Sequence, residues 1–446
     1  MTESTAAQLV AEARRRLETA PRFAVHSRVT RVIGQVVEAS PIDVRVGEVC
    51  RIAAGGPTLL ALVVGFNERG IVLMPMGDLE GIHPGAAVSP LGRSLYVSVG
   101  PSLVGRILDG LGHPMDGRPA PIHTARRSLT ATAPHPLERA RIQAPLGTGV
   151  RAIDGLLTIG QGQRIGIMAG SGVGKSVLLG MIARRTTADI NVIALLGERG
   201  REVRDFIESD LGAEGLERSI LVVATSDQPA VVRATGALVA TGIAEYFRDQ
   251  GNQVLLMVDS ITRVAMAWRE IGLAAGEPPT TKGYPPSVFA QLPRLLERAG
   301  PGKHGGITAL YTVLVEGDDF SEPVADSVRS ILDGHIVLAR RLAAAKHFPA
   351  IDVLDSVSRV RDAVISADQR EASNIILQLE AAFRSHEDLI AVGAYKPGAN
   401  PKVDTAIALR DEMLDFLQQL PDEWATLSDT QARLTALVEK AKRRNK

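Results

Sequence analysis

The chain is poor in the residues that staple, stack or anchor. It has one cysteine, Cys50, in 446 residues, so no internal disulfide can form and a disulfide-scaffolded secreted fold is excluded. A lone cysteine of this kind reads as a small buried apolar residue. Aromatic residues make up 4% of the total, too few for the repeated stacking platforms of single-stranded nucleic-acid binders. Fifty basic residues balance fifty acidic ones for a net charge of zero, which removes any global field that would draw the chain onto a polyanion. No stretch approaches ~18 uninterrupted apolar residues, and the start, Met1-Thr2-Glu3-Ser4-Thr5, lacks the basic-then-apolar pattern of a signal segment. Together these absences predict a cytoplasmic protein with no nucleic-acid partner and peripheral membrane contact at most.

What is present describes a globular, multidomain protein: 45% hydrophobic and 22% charged residues, in a chain long enough for about three domains. In residues 5–17, Leu9, Val10, Ala13 and Leu17 recur at helical spacing while Arg14, Arg15 and Arg16 fill other positions. The spacing predicts an amphipathic helix over residues 1–20, serving either as a flap on its own domain or as a docking helix. Short β-branched runs broken by glycine follow (residues 29–37, 43–52, 59–66 and 71–74) and predict a small β-barrel domain over 21–95. A proline-rich linker occupies 114–136. From 147 to 361, apolar strands alternate with helical segments, the pattern of a mostly parallel α/β sheet. After Asp362 the text turns helical, with Ile375, Leu379 and Phe383 on one face and a last stripe of Leu434, Leu437, Val438 and Ala441. This gives an α/β domain over 96–361 and an α-helical domain over 362–446. The closing Lys440, Lys442, Arg443, Arg444 and Lys446 read as a solvated tail.

One local motif carries chemistry unaided. Ala169-Gly170-Ser171-Gly172-Val173-Gly174-Lys175-Ser176 follows the apolar strand 164–168 and precedes a helix beginning near Val177, the setting a phosphate-binding P-loop requires. Glycines let backbone N–H groups turn inward around phosphates, and the helix adds the positive end of its dipole. Lys175 is expected to neutralise β- and γ-phosphate charge, and Ser176 to ligate Mg²⁺. The apolar run 254–258 ends in Asp259, a strand-end carboxylate placed for the metal side of ATP. The run 192–196 ends in Gly197-Glu198-Arg199-Gly200-Arg201-Glu202, where Glu198 is placed to polarise an attacking water.

With these stretches, together with residues 104–112, 259–263 and 348–352, the sequence resembles the hexameric ATPase family of rotary ATP synthase catalytic subunits and type III export ATPases. The resemblance covers nearly the whole chain and implies a RecA-like P-loop core between a β-barrel and a helical domain, with ATP and Mg²⁺ as substrate and cofactor. By that resemblance Glu198 matches the catalytic base, Arg199 and Arg263 match γ-phosphate contacts, Glu202 a second carboxylate near Mg²⁺, and Phe348 an aromatic against adenine. Arg359 matches the arginine finger of a neighbouring subunit.

Residues 270–280, 281–289, 310–319, 331–338 and the Gly393-Ala394-Tyr395-Lys396-Pro397-Gly398 loop resemble the export branch. They imply a homohexameric motor at the cytoplasmic face of the inner membrane, working with a stator-like regulator, an export gate and chaperone-cargo complexes. The flagellar type is the first expectation and the virulence-type injectisome the alternative. A non-catalytic ring subunit is disfavoured by the presence of Glu198, and an RNA or DNA translocase by the charge balance and the scarcity of aromatics.

The apolar stripe of the first helix generates the first prediction. Deleting residues up to Thr19 is expected to abolish a complex with a stator-like regulator while leaving intrinsic ATPase activity largely intact. Pull-down and steady-state assays on the truncated chain check both halves, and retained partner binding would reject the docking role.

Overall fold

The computed structural model describes residues 26–53, 58–315, 319 and 322–444. The helix expected over 5–17 lies outside them, as do residues 316–318 of the 310–319 stretch. Contacts divide the chain after Ser94 into two compact units.

The first unit is a closed barrel of β1 (Ser27–Ile33), β2 (Val36–Ala39), β3 (Glu48–Ile52), β4 (Leu59–Asn67), β5 (Gly70–Pro75) and β6 (Ala87–Ser94), in the order β1-β2-β5-β4-β3-β6. Val29, Val37, Ile52, Val63, Leu73 and Val88 fill its core with Cys50. Burial pushes the Cys50 thiol up to about 11, as expected of an inert packing residue. The run 29–37 forms a hairpin rather than one strand, because Gly34 turns the chain at φ 55°. The sixth strand, Ala-Val-Ser-Pro-Leu-Gly-Arg-Ser, escapes the sequence pattern because proline and glycine interrupt its alternation.

The second unit is built on a nine-stranded sheet. Eight of its strands form a path: β7 (Ile107–Asp109), β8 (Arg164–Ala169), β9 (Ile190–Leu196), β10 (Ser219–Ala224), β11 (Gln253–Asp259), β12 (Gly306–Leu314), β13 (Gly334–Leu338) and β14 (Ile351–Ser358), in the order β14-β13-β8-β12-β11-β9-β10-β7. All neighbours are parallel except the β13–β14 pair. Parallel strands covered on both faces must be apolar throughout, and β10 and most of β9, β11 and β12 are buried at every position. The linker is not structureless: its Ala125–Ser128 segment pairs with Tyr96–Val99.

Helices α1 (Arg151–Leu156), α2 (Lys175–Arg185), α3 (Gly200–Asp205), α4 (Ala230–Asp249), α5 (Ile261–Ala274) and α6 (Arg340–Ala344) belong to the sheet region. They are followed by α7 (Ala367–Arg384), α8 (Arg410–Leu417) and α9 (Leu427–Arg444). One apolar core runs from the sheet through α1 into these last helices, joining Ile153 and Leu156 to Ile376, Leu379, Phe416, Leu434, Leu437 and Val438. Ala372, Ile376 and Leu379 form the buried stripe of α7, and Ile375 and Phe383 flank it as partly buried neighbours. In the basic tail, Lys440 and Lys442 reach Glu412 and Glu371 at 3.6 and 2.6 Å.

α1 acts as a plug between sheet and helices. A Cβ on Gly155 would lie 2.7 Å from the Phe416 ring, so only glycine lets the two approach. Arg151 donates to the carbonyls of Asp415, Phe416 and Gln418. Gln419 ties the same corner: its Oε1 accepts from Arg151 N at 2.9 Å and its Nε2 donates to Gly149 O at 2.8 Å. Asp154 holds the preceding loop, accepting from the Thr148 N–H and hydroxyl at 3.0 and 2.7 Å and from Gly149 N at 3.0 Å.

Asp154 is fully buried, and burial raises its pKa to about 7. A carboxyl raised in the folded state contributes stability that is complete below its ordinary value of about 4 and fades as pH rises through about 7. Asp154→Asn does not titrate, so it is expected to flatten the fall in urea midpoint between about pH 4 and pH 7. Its NH₂ group also leaves one buried N–H without an acceptor, costing about 1–3 kcal/mol. Equal pH slopes in the two proteins would reject the assignment.

Candidate active site

Parallel strands present their carboxyl ends on one edge, and three of them deliver the site. β8 runs out into the glycine-rich turn, where Gly172 and Gly174 take φ values of 77° and 86°. Side chains are strained in that region, and glycine lets Gly174 open α2 directly. β9 ends at Leu196 and Gly197 turns the chain into Glu198, while β11, one strand over, ends at Asp259. The register sets Leu195 opposite Asp259.

These elements converge on one ammonium. Lys175 Nζ lies 3.2 Å from Glu198 Oε1 and 2.5 Å from Asp259 Oδ1. The same Asp259 oxygen accepts from Thr312 Oγ1 at 2.6 Å. Burial opposes the charge on Lys175, but Asp259 and Glu198 outweigh it and lift its pKa above the ordinary lysine value. Burial, reinforced by Asp259, lifts Glu198 above the ordinary glutamate value although Lys175 opposes the shift. Glu202 moves down against the cost of burial, through its hydrogen bond with Glu198 and the Arg199 backbone.

A cleft of about 550 Å³ opens here. Its walls include Ala169, Gly170, Ser171, Gly172, Gly174, Lys175, Ser176 and Val177 of the turn and helix, with Glu198, Arg199, Glu202, Asp259 and Arg263. Arg263, which lines the cleft, has its buried Nε without an acceptor among the described residues. Arg199 is 83% exposed at its side chain and pairs loosely with Glu202 at 3.6 Å. Three residues expected from sequence lie elsewhere. Val173 is buried outside the lining. Phe348 sits beside the turn, its ring 3.5 Å from where a Gly174 Cβ would be, and is 39% exposed. Arg359 lines a separate hollow of about 240 Å³ with Ser356, Ser358 and Arg361, so its own cleft does not receive it.

Sequence reasoning passed over Leu195, Val203, Phe206, Leu314, Val315 and Arg340, which complete the lining. Arg340 had a legible signal: it follows the carboxyl end of β13, the strand beside β8. The apolar members carry no signal apart from the fold.

A glycine-rich turn that opens a helix, an ammonium at that helix's first residue and a spare guanidinium N–H suit the phosphates of a nucleotide, and the fold places the chain among P-loop nucleotide-binding proteins. Comparison narrows this class. Residues 149–358 match the ATP synthase alpha/beta family nucleotide-binding domain, 29–92 that family's beta-barrel domain, and 365–436 the T3SS EscN ATPase C-terminal domain. The flagellum-specific ATP synthase of Bacillus subtilis is 54% identical over 95% of this chain and 97% of its own. The type 3 secretion system ATPase of Xanthomonas euvesicatoria is 51% identical over 93% and 95%. The assembled ATPase EscN of enteropathogenic E. coli superimposes with a TM-score of 0.88 at 46% identity, covering 92% of this chain and all of that one, and its complex with the central stalk EscO with 0.86. The chain belongs to the ATP synthase alpha/beta family.

Removing the ammonium leaves two carboxylates facing across a partly wet cleft. Lys175→Ala is expected to lower the stability of the nucleotide-free protein by about 1–3 kcal/mol, below the full cost of breaking a fully buried pair. It should also weaken ATP binding and reduce turnover. Thermal melts and nucleotide titrations check this, and unaltered affinity with unaltered turnover would refute the role of Lys175.

Proposed function

We propose that this ATPase hydrolyses Mg-ATP in a ring of identical copies, with the active site shared between neighbours, and that turnover energises type III protein export, the flagellar system first. The observation that carries the reading is the Lys175 ammonium held between Glu198 and Asp259 at the mouth of the P-loop. Its match with flagellar and secretion relatives over more than nine-tenths of the chain supports the export class, and the virulence-type system is the second reading on the same ground.

In this mechanism the turn from Gly170 to Gly174 and the start of α2 bind the phosphates through backbone N–H groups. Lys175 transfers from its carboxylates to the β/γ oxygens, and Arg199 and Arg263 add charge at the γ-phosphate. Loss of the ammonium raises the proton affinity of Glu198, already lifted by burial and Asp259, and fits it to take a proton from the attacking water. Ser176, Asp259 and Glu202 offer oxygen donors alone, a set that fits Mg²⁺. When bound, that ion supplies neutralisation of phosphate charge. Phe348 offers a face for the adenine, and Arg359 reaches a neighbour's γ-phosphate.

The functional division follows the sequence reading: a docking segment over 1–20, a barrel over 21–95, a motor over 96–361 and a helical domain over 362–446. No helix among the described residues is long and apolar enough to cross a membrane, and we place the ring peripherally at the cytoplasmic face of the inner membrane. EscN's complex with its stalk supports a stalk-like partner in addition to the stator-like regulator, export gate and chaperone-cargo complexes.

The shared site is tested by complementation. Glu198→Gln is expected to bind nucleotide and lose about 10²-fold or more in turnover, and Arg359→Ala to be similarly impaired because a guanidinium in trans contributes on the order of 10³-fold. Mixed rings of the two inactive variants should regain activity, since an Arg359→Ala cleft facing a Glu198→Gln subunit's Arg359 is whole. Full activity of a proven monomer would be decisive against it.

A further inference from the structure

β12 lies between the P-loop strand β8 and β11, which ends in Asp259. Its register sets Thr312 level with Ile167 on one side and Tyr311 level with Val258 on the other. The Thr312 side chain is fully buried, where a hydroxyl is costly unless bonded. Its close acceptor is Asp259 Oδ1 at 2.6 Å, with the Val258 carbonyl at 3.5 Å. The strand end beyond it is stitched on both flanks: Leu314 N donates to Thr262 Oγ1 at 2.9 Å and Val315 N to Ala169 O at 3.0 Å. The hydroxyl is thus aimed by the sheet.

Lys175 and Thr312 share one oxygen of Asp259, but they respond differently to a ligand. An arriving phosphate competes for the ammonium, whereas Thr312 does not line the cleft and has no competitor. Once Lys175 has moved, Thr312 is the contact that still fixes the carboxylate, and it does so through Oδ1 and leaves Oδ2 untouched.

We propose that Thr312 is a positioning residue that locks the Asp259 carboxylate through the nucleotide-bound state, so that its second oxygen is presented to the divalent cation that accompanies ATP. The proposal rests on Asp259 serving the metal side of the site.

Binding separates the two. A fluorescent ADP analogue is titrated into the full-length protein in EDTA and in Mg²⁺, which gives the Mg²⁺-dependent gain in affinity without turnover. Thr312→Val keeps the shape and removes the hydroxyl. It is expected to reduce that gain by about 10-fold, the scale of a lost hydrogen bond to a charged group, while metal-free affinity is unchanged. Thr312→Ser should restore most of the gain, and adding Thr312→Val to Asp259→Asn should change nothing further. A full gain in Thr312→Val alongside a lost gain in Asp259→Asn overturns the Thr312 role and leaves the site reading standing. A gain that survives in Asp259→Asn overturns both. Equal loss of affinity with and without Mg²⁺ in Thr312→Val, unrescued by serine, marks a folding defect and also overturns the role.

Discussion

A single ammonium group between two carboxylates sets the terms for the catalytic region. Lys175, Glu198 and Asp259 come from three different strand ends, and they meet because β8, β11 and β9 run parallel with their carboxyl ends on one edge. Three charges that close are tolerable away from bulk water only as a set. The one positive charge offsets part of the two negative ones and tethers both carboxylates.

The sheet's interior serves this edge. β12 contributes Thr312 from within the layer and pins its own end to α5 and to the last residue of β8. Below and beside it, α1 carries the apolar core across into α7, α8 and α9, so the sheet and the helical region are not independently packed bodies. Arg151 and Gln419 meet backbone groups on both sides of this seam.

Much of the architecture is legible in the sequence because it depends on local pattern. The glycine-rich turn is contiguous, and Glu198 and Asp259 each follow an apolar run, so strand-end placement can be read without coordinates. Barrel, sheet and helical regions announce themselves by period and by β-branched content. What stays hidden depends on register or on distance in sequence. Thr312 looks like any threonine in a strand until its neighbours are known. Phe206 and Val203 look like core residues until the cleft is seen to reach them. The strand β6 is masked by its own proline and glycine, and the residues 29–37 read as one strand because Gly34 alone marks the turn.

One contact beside the glycine-rich turn ties Phe348 to the helical region. The Phe348 carbonyl accepts from Gln419 N at 2.9 Å, and Gln419 in turn grips Gly149 and Arg151. Three hydrogen bonds therefore join the Phe348 carbonyl to the end of α8: from Gln419 N to Phe348 O, from Arg151 N to Gln419 Oε1, and from Arg151 Nε to Phe416 O. The exposed ring beside the glycine-rich turn and the helical region thus share one hydrogen-bonded backbone frame.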